Sequence, residues 1–282
     1  MKLINETEFE DLKKNIKIEK VVAGGSVANT MAGIVHLKGS PSFIGKINSD
    51  NFGEIYKKSL EDINVEFPYI KKNEDLPTGA SIILITPDSE RTMCTYLGIS
   101  SQLSENDINE HNIIEHKLIF LEGYLWDKGI SERMFKHAIN IAKKNKVKIG
   151  MSLSDVFCVT RHKQDFYNLL KNDLDILIGN ENEINELTNK KNLLDSVNQL
   201  KEFNKLIVIT RSENGSMAIK DNEIINCNSI KVNKILDLTG AGDLFAAGFL
   251  KEYLDHSEIK KCLTTGSMLA SKIIQKIGAR LE

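Results

Sequence analysis

Lys117-Leu118-Ile119-Phe120-Leu121-Glu122 is an uninterrupted apolar run bounded by charges. It is too short for a one-sided helix and suits a strand covered on both faces. The stretches Val147–Leu153, Asp175–Ile178 and Leu206–Thr210 repeat the pattern. Helix-patterned segments stand between them near 131–145, 163–171 and 193–203, and an acidic helix follows 178. Two further helices, about 243–254 and 258–276, close the series. Short apolar strands alternating with helices predict an α/β fold, a doubly wound and mostly parallel sheet flanked by helices.

Toward the amino end the rhythm changes. Ala80–Thr86 and Arg91–Leu97 read as two strands joined by Pro87-Asp88-Ser89-Glu90, a segment of turn composition. The region from about 64 to 97 is therefore expected to be a small β appendage on the α/β core, all within one domain spanning 1–282. Val27 to Leu37 reads as a helix of small and apolar residues after the break at Gly24-Gly25. Residues 1–20 are charged and mildly amphipathic, with no strand signal.

Composition narrows the function. The 282 residues carry 37 basic and 39 acidic side chains, a net charge of −2, which argues against a protein that neutralises nucleic-acid phosphates. No apolar run reaches the roughly 18 residues of a membrane span, and the first residues turn polar too soon for a signal peptide. Cys94, Cys158, Cys227 and Cys262 are scattered without a C-x-x-C pair, and the six histidines form no zinc pattern. A cytoplasmic, non-zinc, globular protein is expected.

Four segments can carry chemistry. In Asp237-Leu238-Thr239-Gly240-Ala241-Gly242-Asp243, glycines precede an apolar helix, so free N–H groups of its first turn can approach an anion without a Cβ in the way. A carboxylate beside a phosphate site repels the ligand, but Asp243 makes sense there as acceptor of a proton from an attacking hydroxyl. The same residues also read as a plain helix start with an acid in its first turn. Gly24-Gly25-Ser26-Val27-Ala28-Asn29 can bind a polyhydroxylated ligand or simply make a turn. Asn180 and Glu183 share one helix face at the carboxyl end of a parallel strand, where oxygens can meet the water shell of Mg²⁺ or cap the helix. Thr210 to Gly215 forms a turn after another core strand.

Competing phosphate motifs fail on spacing. A Walker A loop would need four residues and then Gly-Lys-[Ser/Thr], but five separate Gly39 from Gly45, and Ile47 follows Lys46. A dinucleotide fingerprint would need glycine where Phe245 stands, which opposes an NAD-dependent oxidoreductase.

The order of these segments, Gly-Gly-Ser-x-Ala-Asn early, Asn-x-x-Glu after a central strand, a Thr turn, then Gly-Ala-Gly-Asp before a late helix, resembles the ribokinase-like (PfkB) family of carbohydrate and nucleoside kinases. Asp88–Leu97, Gly98–Ser101, Ser152–Asp155 and Gly278-Ala279-Arg280 look like its adenosine-kinase-like bacterial branch. The resemblance implies a β lid from about 64 to 97 over the core and an ATP-dependent transfer to a hydroxymethyl group of a sugar or nucleoside. It makes Asp243 the catalytic base and Gly240, Ala241 and Gly242 the anion hole. Gly24, Gly25 and Asn29 would face substrate hydroxyls, Thr210, Gly215 and Asn180 the nucleotide, and Asn180 with Glu183 the Mg²⁺. It places a monovalent cation near Asp237, Thr239 and Gly278, lets Arg91 reach the site from the lid, and permits homodimers through the lid.

Two departures qualify it. Only 23 residues precede Gly24, without the early strand and substrate-binding Asp that the family carries there, so a truncated start is expected. Ser212 stands where many relatives have glycine. A lost strand opens the alternative of a non-catalytic sugar- or nucleotide-binding relative.

Overall fold

In the computed structural model, residues 2–69, 73–85, 91–127 and 131–281 are described, with the backbone alone at Arg91, Asp127 and Ser131. The chain opens with a two-residue strand β1 (Lys2–Leu3) and helix α1 (Glu6–Asn15), where Asn5 and Glu8 form a reciprocal capping box. Helices α2 (Ser26–His36) and α3 (Asn51–Glu61) follow, then strands β2 (Ala80–Ile85) and β3 (Arg91–Tyr96). After the short α4 (Glu110–Ile114) come β4 (Leu118–Glu122), α5 (Ser131–Lys144), β5 (Lys148–Ser152) and α6 (Val156–Asn172). Next are β6 (Ile176–Asn180), α7 (Glu181–Thr188), α8 (Leu193–Leu200) and β7 (Leu206–Thr210). A hairpin of β8 (Ser216–Lys220) and β9 (Glu223–Cys227), then α9 (Ala241–Leu254) and α10 (Ile259–Ile273), complete the fold.

The main sheet has the order β4-β5-β6-β7-β8-β9. Its first four strands are parallel and the last two antiparallel, so the expected parallel sheet is mixed at one side. Strand alternation divides the core. Leu177, Ile207, Ile209 and Ile219 point into one apolar layer with Phe135, Phe166, Leu170, Ile184 and Val197 of α5 to α8. Ile176, Ile178, Val208 and Ala218 point the other way, against Phe245, Phe249, Cys262 and Leu263 of α9 and α10. Both faces are covered, which is why these strands read as continuous apolar runs.

The hairpin expected at 80–97 forms, with Ala80 opposite Tyr96 and Ile85 opposite Arg91. Its turn, residues 86–90, lies outside the described residues. Two expectations are corrected. The amino-terminal segment does contribute a strand, because β1 pairs parallel to β3 through Lys2↔Cys94 and Leu3↔Thr95, making the small sheet three-stranded. Residues 64–69 and 73–79 give this sheet no strand, and their pairing is a single bridge from Glu66 to Ser42. Ile4, Phe9, Ile82 and Cys94 pack this small layer onto α1. The helix expected at 163–171 begins earlier, at Val156, capped by Asp155.

Candidate active site

Parallel strands end at the same edge, and here that edge collects polar side chains. Glu122 closes β4 opposite Ser152, and Asn180 closes β6 opposite Thr210. Crevices at the carboxyl ends of such strands are where α/β folds take ligands. Two helices bring their amino ends to this edge. Helix α9 starts after Gly240, which caps it at φ 79°, in the left-handed region; a Cβ there would stand 2.8 Å from Ala279 backbone atoms, so the turn requires glycine. Space around Gly242 is open, leaving the first-turn amides approachable. Helix α2 packs beside α9, and the closeness depends on Gly33, whose Cβ would fall 2.6 Å from that of Ala247.

That packing joins the first and second expected segments of the site. Asn29 Nδ2 donates to Asp243 Oδ2 at 2.8 Å, and Ser26 Oγ donates to Asp243 Oδ1 at 3.0 Å. Asn29 is buried, and the Asp243 carboxyl is enclosed although the residue as a whole keeps some exposure. Burial pushes Asp243 up to about 6, against the lowering effects of the Asn29 and Ser26 bonds and the Arg280 guanidinium. A carboxylate tuned to that range is ionised at neutral pH yet basic enough to take a proton in a transition state.

Two residues at this centre were given no role by the sequence. Glu122 Oε2 accepts from Val27 N at 3.0 Å, capping the start of α2, and burial with the nearby Asp243 charge raises it to about 7. A charged residue ending an otherwise apolar strand was its only mark. Arg280, beyond α10, donates from Nε to Asn29 Oδ1 at 3.1 Å and from Nη2 to the Gly24 carbonyl at 3.0 Å.

Asn180 and Glu183 meet as a full capping box of α7. Glu183 Oε2 accepts from Asn180 N at 2.9 Å, Oε1 accepts from Asn180 Nδ2 at 2.6 Å, and Glu183 N donates back to Asn180 Oδ1 at 2.9 Å. Burial first, and then the charge of Asp155, push Glu183 up to about 7. Tyr124, whose hydroxyl donates to the Ser154 carbonyl at 2.9 Å, feels the charges of both Asp243 and Glu183, so the two clusters adjoin. Gly215, at φ 84°, lies where a Cβ would approach the Cys227 carbonyl to 2.1 Å; it shapes the turn after Thr210, and Arg211 N closes it by donating to the Gly215 carbonyl at 2.8 Å. Asp237 Oδ1 accepts from Thr239 N at 2.8 Å and Oγ1 at 2.6 Å, and Oδ2 accepts from Gly278 N at 3.0 Å, locking the loop before Gly240 to the turn after α10. The side chain of Arg91 lies outside the described ones.

Among the described residues no helix is long and apolar enough to cross a membrane. Comparison with known proteins agrees with this geometry. A solved adenosine kinase of Sinorhizobium meliloti superposes with a TM-score of 0.96 at 33% identity, covering 100% of this chain and 86% of that one. The 5-dehydro-2-deoxygluconokinase of Mesomycoplasma hyopneumoniae (strain 7448) is 25% identical over 96% of this chain and 84% of its own. A Ribokinase II of E. coli in complex with ATP and Mg²⁺ shares the fold at TM-score 0.83 and 17% identity, covering 94% and 88% of the two chains. The sequence profile of the pfkB family of carbohydrate kinases matches residues 1–282. The chain belongs to that family and is a kinase of a sugar or a nucleoside.

Proposed function

We propose that this kinase transfers the terminal phosphoryl group of ATP to the hydroxymethyl group of a ribofuranoside, with adenosine the first acceptor to test. One observation carries the reading: the Asp243 carboxylate sits at the open amino end of α9 while accepting hydrogen bonds from Ser26 and Asn29 of the Gly-Gly segment. A base, an anion cradle and a polar acceptor loop therefore converge at one point. The likeness to an adenosine kinase at 33% identity favours a nucleoside over other acceptors.

In this reading the acceptor hydroxyl lies against Asp243, which takes its proton as the oxygen attacks phosphorus. The N–H groups of Gly240 to Gly242 and the positive end of the α9 dipole stabilise charge on the transferring group. Gly24, Gly25 and Asn29 hold the acceptor, and Thr210 and Gly215 border the nucleotide. Positioning and electrostatics supply most of the rate, because phosphoryl transfer asks little covalent work of the protein.

Among the described residues no three His, Cys, Asp or Glu side chains cluster as a metal cage. Mg²⁺ would therefore be held by nucleotide phosphates, neutralising them, with Asn180 and Glu183 meeting its water shell. The pair fits, because Glu183 is a buried carboxyl whose raised proton affinity reflects desolvation and the neighbouring charge of Asp155. Asp237, Thr239 and Gly278 form a loop lock, and a monovalent ion would act by stiffening that same loop.

A second reading follows the 25% identity to the 5-dehydro-2-deoxygluconokinase, which makes 5-dehydro-2-deoxygluconate the rival acceptor. An ADP-coupled assay with ATP–Mg²⁺ and adenosine, ribose or 5-dehydro-2-deoxygluconate decides between them. Turnover of adenosine supports the nucleoside reading. Preference for the acid moves the assignment, and no turnover with any acceptor despite ATP binding returns the non-catalytic alternative.

A further inference from the structure

The amide of Asn29 has two ends and the structure assigns each a different partner. Its Nδ2 donates to Asp243, and its Oδ1 accepts from Arg280 Nε at 3.1 Å. A guanidinium only donates and an ionised carboxylate only accepts, so the amide has a single satisfactory orientation between them. Turned over, it would set N–H groups against N–H groups and oxygen against oxygen. Asn29 is 4% exposed, which leaves water little room to repair such a mismatch.

We propose that Arg280 is a positioning residue for the acceptor side of the site, holding the Gly-Gly segment and the Asn29 amide in the one arrangement that serves Asp243. Its other nitrogens extend the grip. Nη2 donates to the Gly24 carbonyl at 3.0 Å and Nη1 to Ser59 Oγ of α3 at 3.2 Å, and the guanidinium carbon lies 5.9 Å from the centre of the Tyr56 ring. One planar group thus ties together the turn after α10, helix α3 and the entrance to α2. The fork matters, since a lysine ammonium would reach from a single point and could not serve three separated acceptors in the same geometry. The arrangement also explains why the turn at Gly278 to Arg280 is pinned from the other side, where Asp237 accepts from Gly278 N.

The same contact places positive charge near the base. Asp243 is faced by Ser26 and Asn29 of α2, by Glu122 at the end of β4, by Tyr124 after it, and by Arg280, which also faces the titratable Tyr56. Glu122 disfavours the ionised form of Asp243 and Arg280 favours it. Removing the guanidinium charge therefore makes Asp243 harder to ionise, and the acid limb of the rate profile moves to higher pH.

This inference rests on the reading of Asp243 as base in the kinase site, and its test separates the two. Wild type, Arg280→Lys and Arg280→Gln are compared by hydrogen–deuterium exchange and by initial rates with adenosine and ATP–Mg²⁺ from pH 5 to 9. In the Gln variant, amides of residues 24–30 should exchange several-fold faster while those of β5 to β7 keep their protection. KM for adenosine should rise about tenfold with KM for ATP within twofold, since a small misplacement at the reacting centre is felt strongly. The acid limb should move up by about half to one pH unit. The Lys variant, which keeps the charge, should leave the limb near its wild-type position while loosening residues 24–30, and it supplies the exchange comparison if the Gln variant does not fold. Unchanged exchange at 24–30 in both variants overturns the proposal, as does an equal rise of both KM values with the limb in place. If the wild type phosphorylates nothing, the functional reading fails, and the exchange data alone still decide whether Arg280 holds the segment.

Discussion

Asn29 Nδ2 and Asp243 Oδ2 stand 2.8 Å apart although 214 positions separate them in the chain. The contact joins the amino ends of α2 and α9, so a change at either residue is felt by the proposed base and by the proposed acceptor loop together. Asp243→Asn keeps the size of the side chain and removes its capacity to take a proton. Turnover should fall about 10²- to 10⁴-fold, the usual worth of a positioned base. ATP–Mg²⁺ should still raise the melting temperature, because the proposed anion cradle is made of backbone amides. Wild-type turnover in this variant would remove Asp243 from the mechanism.

The core of this fold is legible in sequence for a physical reason. The centres of strands β5 to β7 are buried on both faces and β4 is half-buried, so their middle residues had to be largely apolar, and the helices between them carry one-sided stripes. The hairpin Ser216–Cys227 was harder to read, because β9 is largely exposed and its turn uses Asp221 and Asn222 at φ 51° and 64° without a glycine. The two-residue β1 is too short to show any alternation. In the site, Gly240 to Asp243 announced itself because the left-handed turn at Gly240, and the anion cradle proposed beside it, both call for glycine next to a helix start. Glu122 and Arg280 did not, since their partners Val27, Gly24 and Asn29 lie far off in sequence. Asn180 and Glu183 illustrate the opposite case, in which a pair read for its chemistry also proves to be a helix cap.

Gly240 and Gly242 are two positions apart and should respond oppositely to alanine. At Gly240 the left-handed φ and the Ala279 backbone 2.8 Å from a new Cβ both resist it, so Gly240→Ala should destabilise the protein by about 1–3 kcal/mol. At Gly242 nothing stands within 4 Å of the Cβ, and a helical alanine should be neutral or stabilising by about 0.5–1 kcal/mol. The same methyl group intrudes on the anion cradle, so activity should drop in a variant that melts no lower than wild type. Thermal unfolding and turnover measured side by side check both halves; full activity in Gly242→Ala would mean that phosphate does not approach there.

Asn180→Ala removes the two side-chain hydrogen bonds of the α7 cap and leaves the buried Glu183 carboxyl with only the backbone N–H of position 180 as donor. Loss of such a cap typically costs about 1 kcal/mol, with more expected here because a buried carboxyl loses its side-chain donor. If the pair also meets the water shell of Mg²⁺, the concentration of Mg²⁺ needed for half-maximal rate should rise several-fold. A stability loss with an unchanged Mg²⁺ requirement would assign the pair to capping alone.

Glu122 gives the pH dependence its sign. Its proton affinity is raised from 4.5 to about 7 in the fold, chiefly by burial and further by the Asp243 charge, while its bond from Val27 N opposes the change. A carboxyl raised in this way is held protonated more firmly by the native state than by the unfolded chain, so its ionisation subtracts stability as pH climbs from about 4.5 through 7. Glu122→Gln can keep an oxygen for Val27 N and has no charge to bury. The full shift corresponds to about 3 kcal/mol, and with partial exposure of the residue a gain of about 1–2 kcal/mol is expected at pH 8. That gain should shrink steadily on acidification and vanish near pH 4, where both forms are neutral in both states. Denaturant titrations of the two proteins at pH 4, 6 and 8 measure it. A variant less stable than wild type at pH 8, by as much as at pH 4, would show that Glu122 acts through its bond to α2 and that its charge is not buried at a cost.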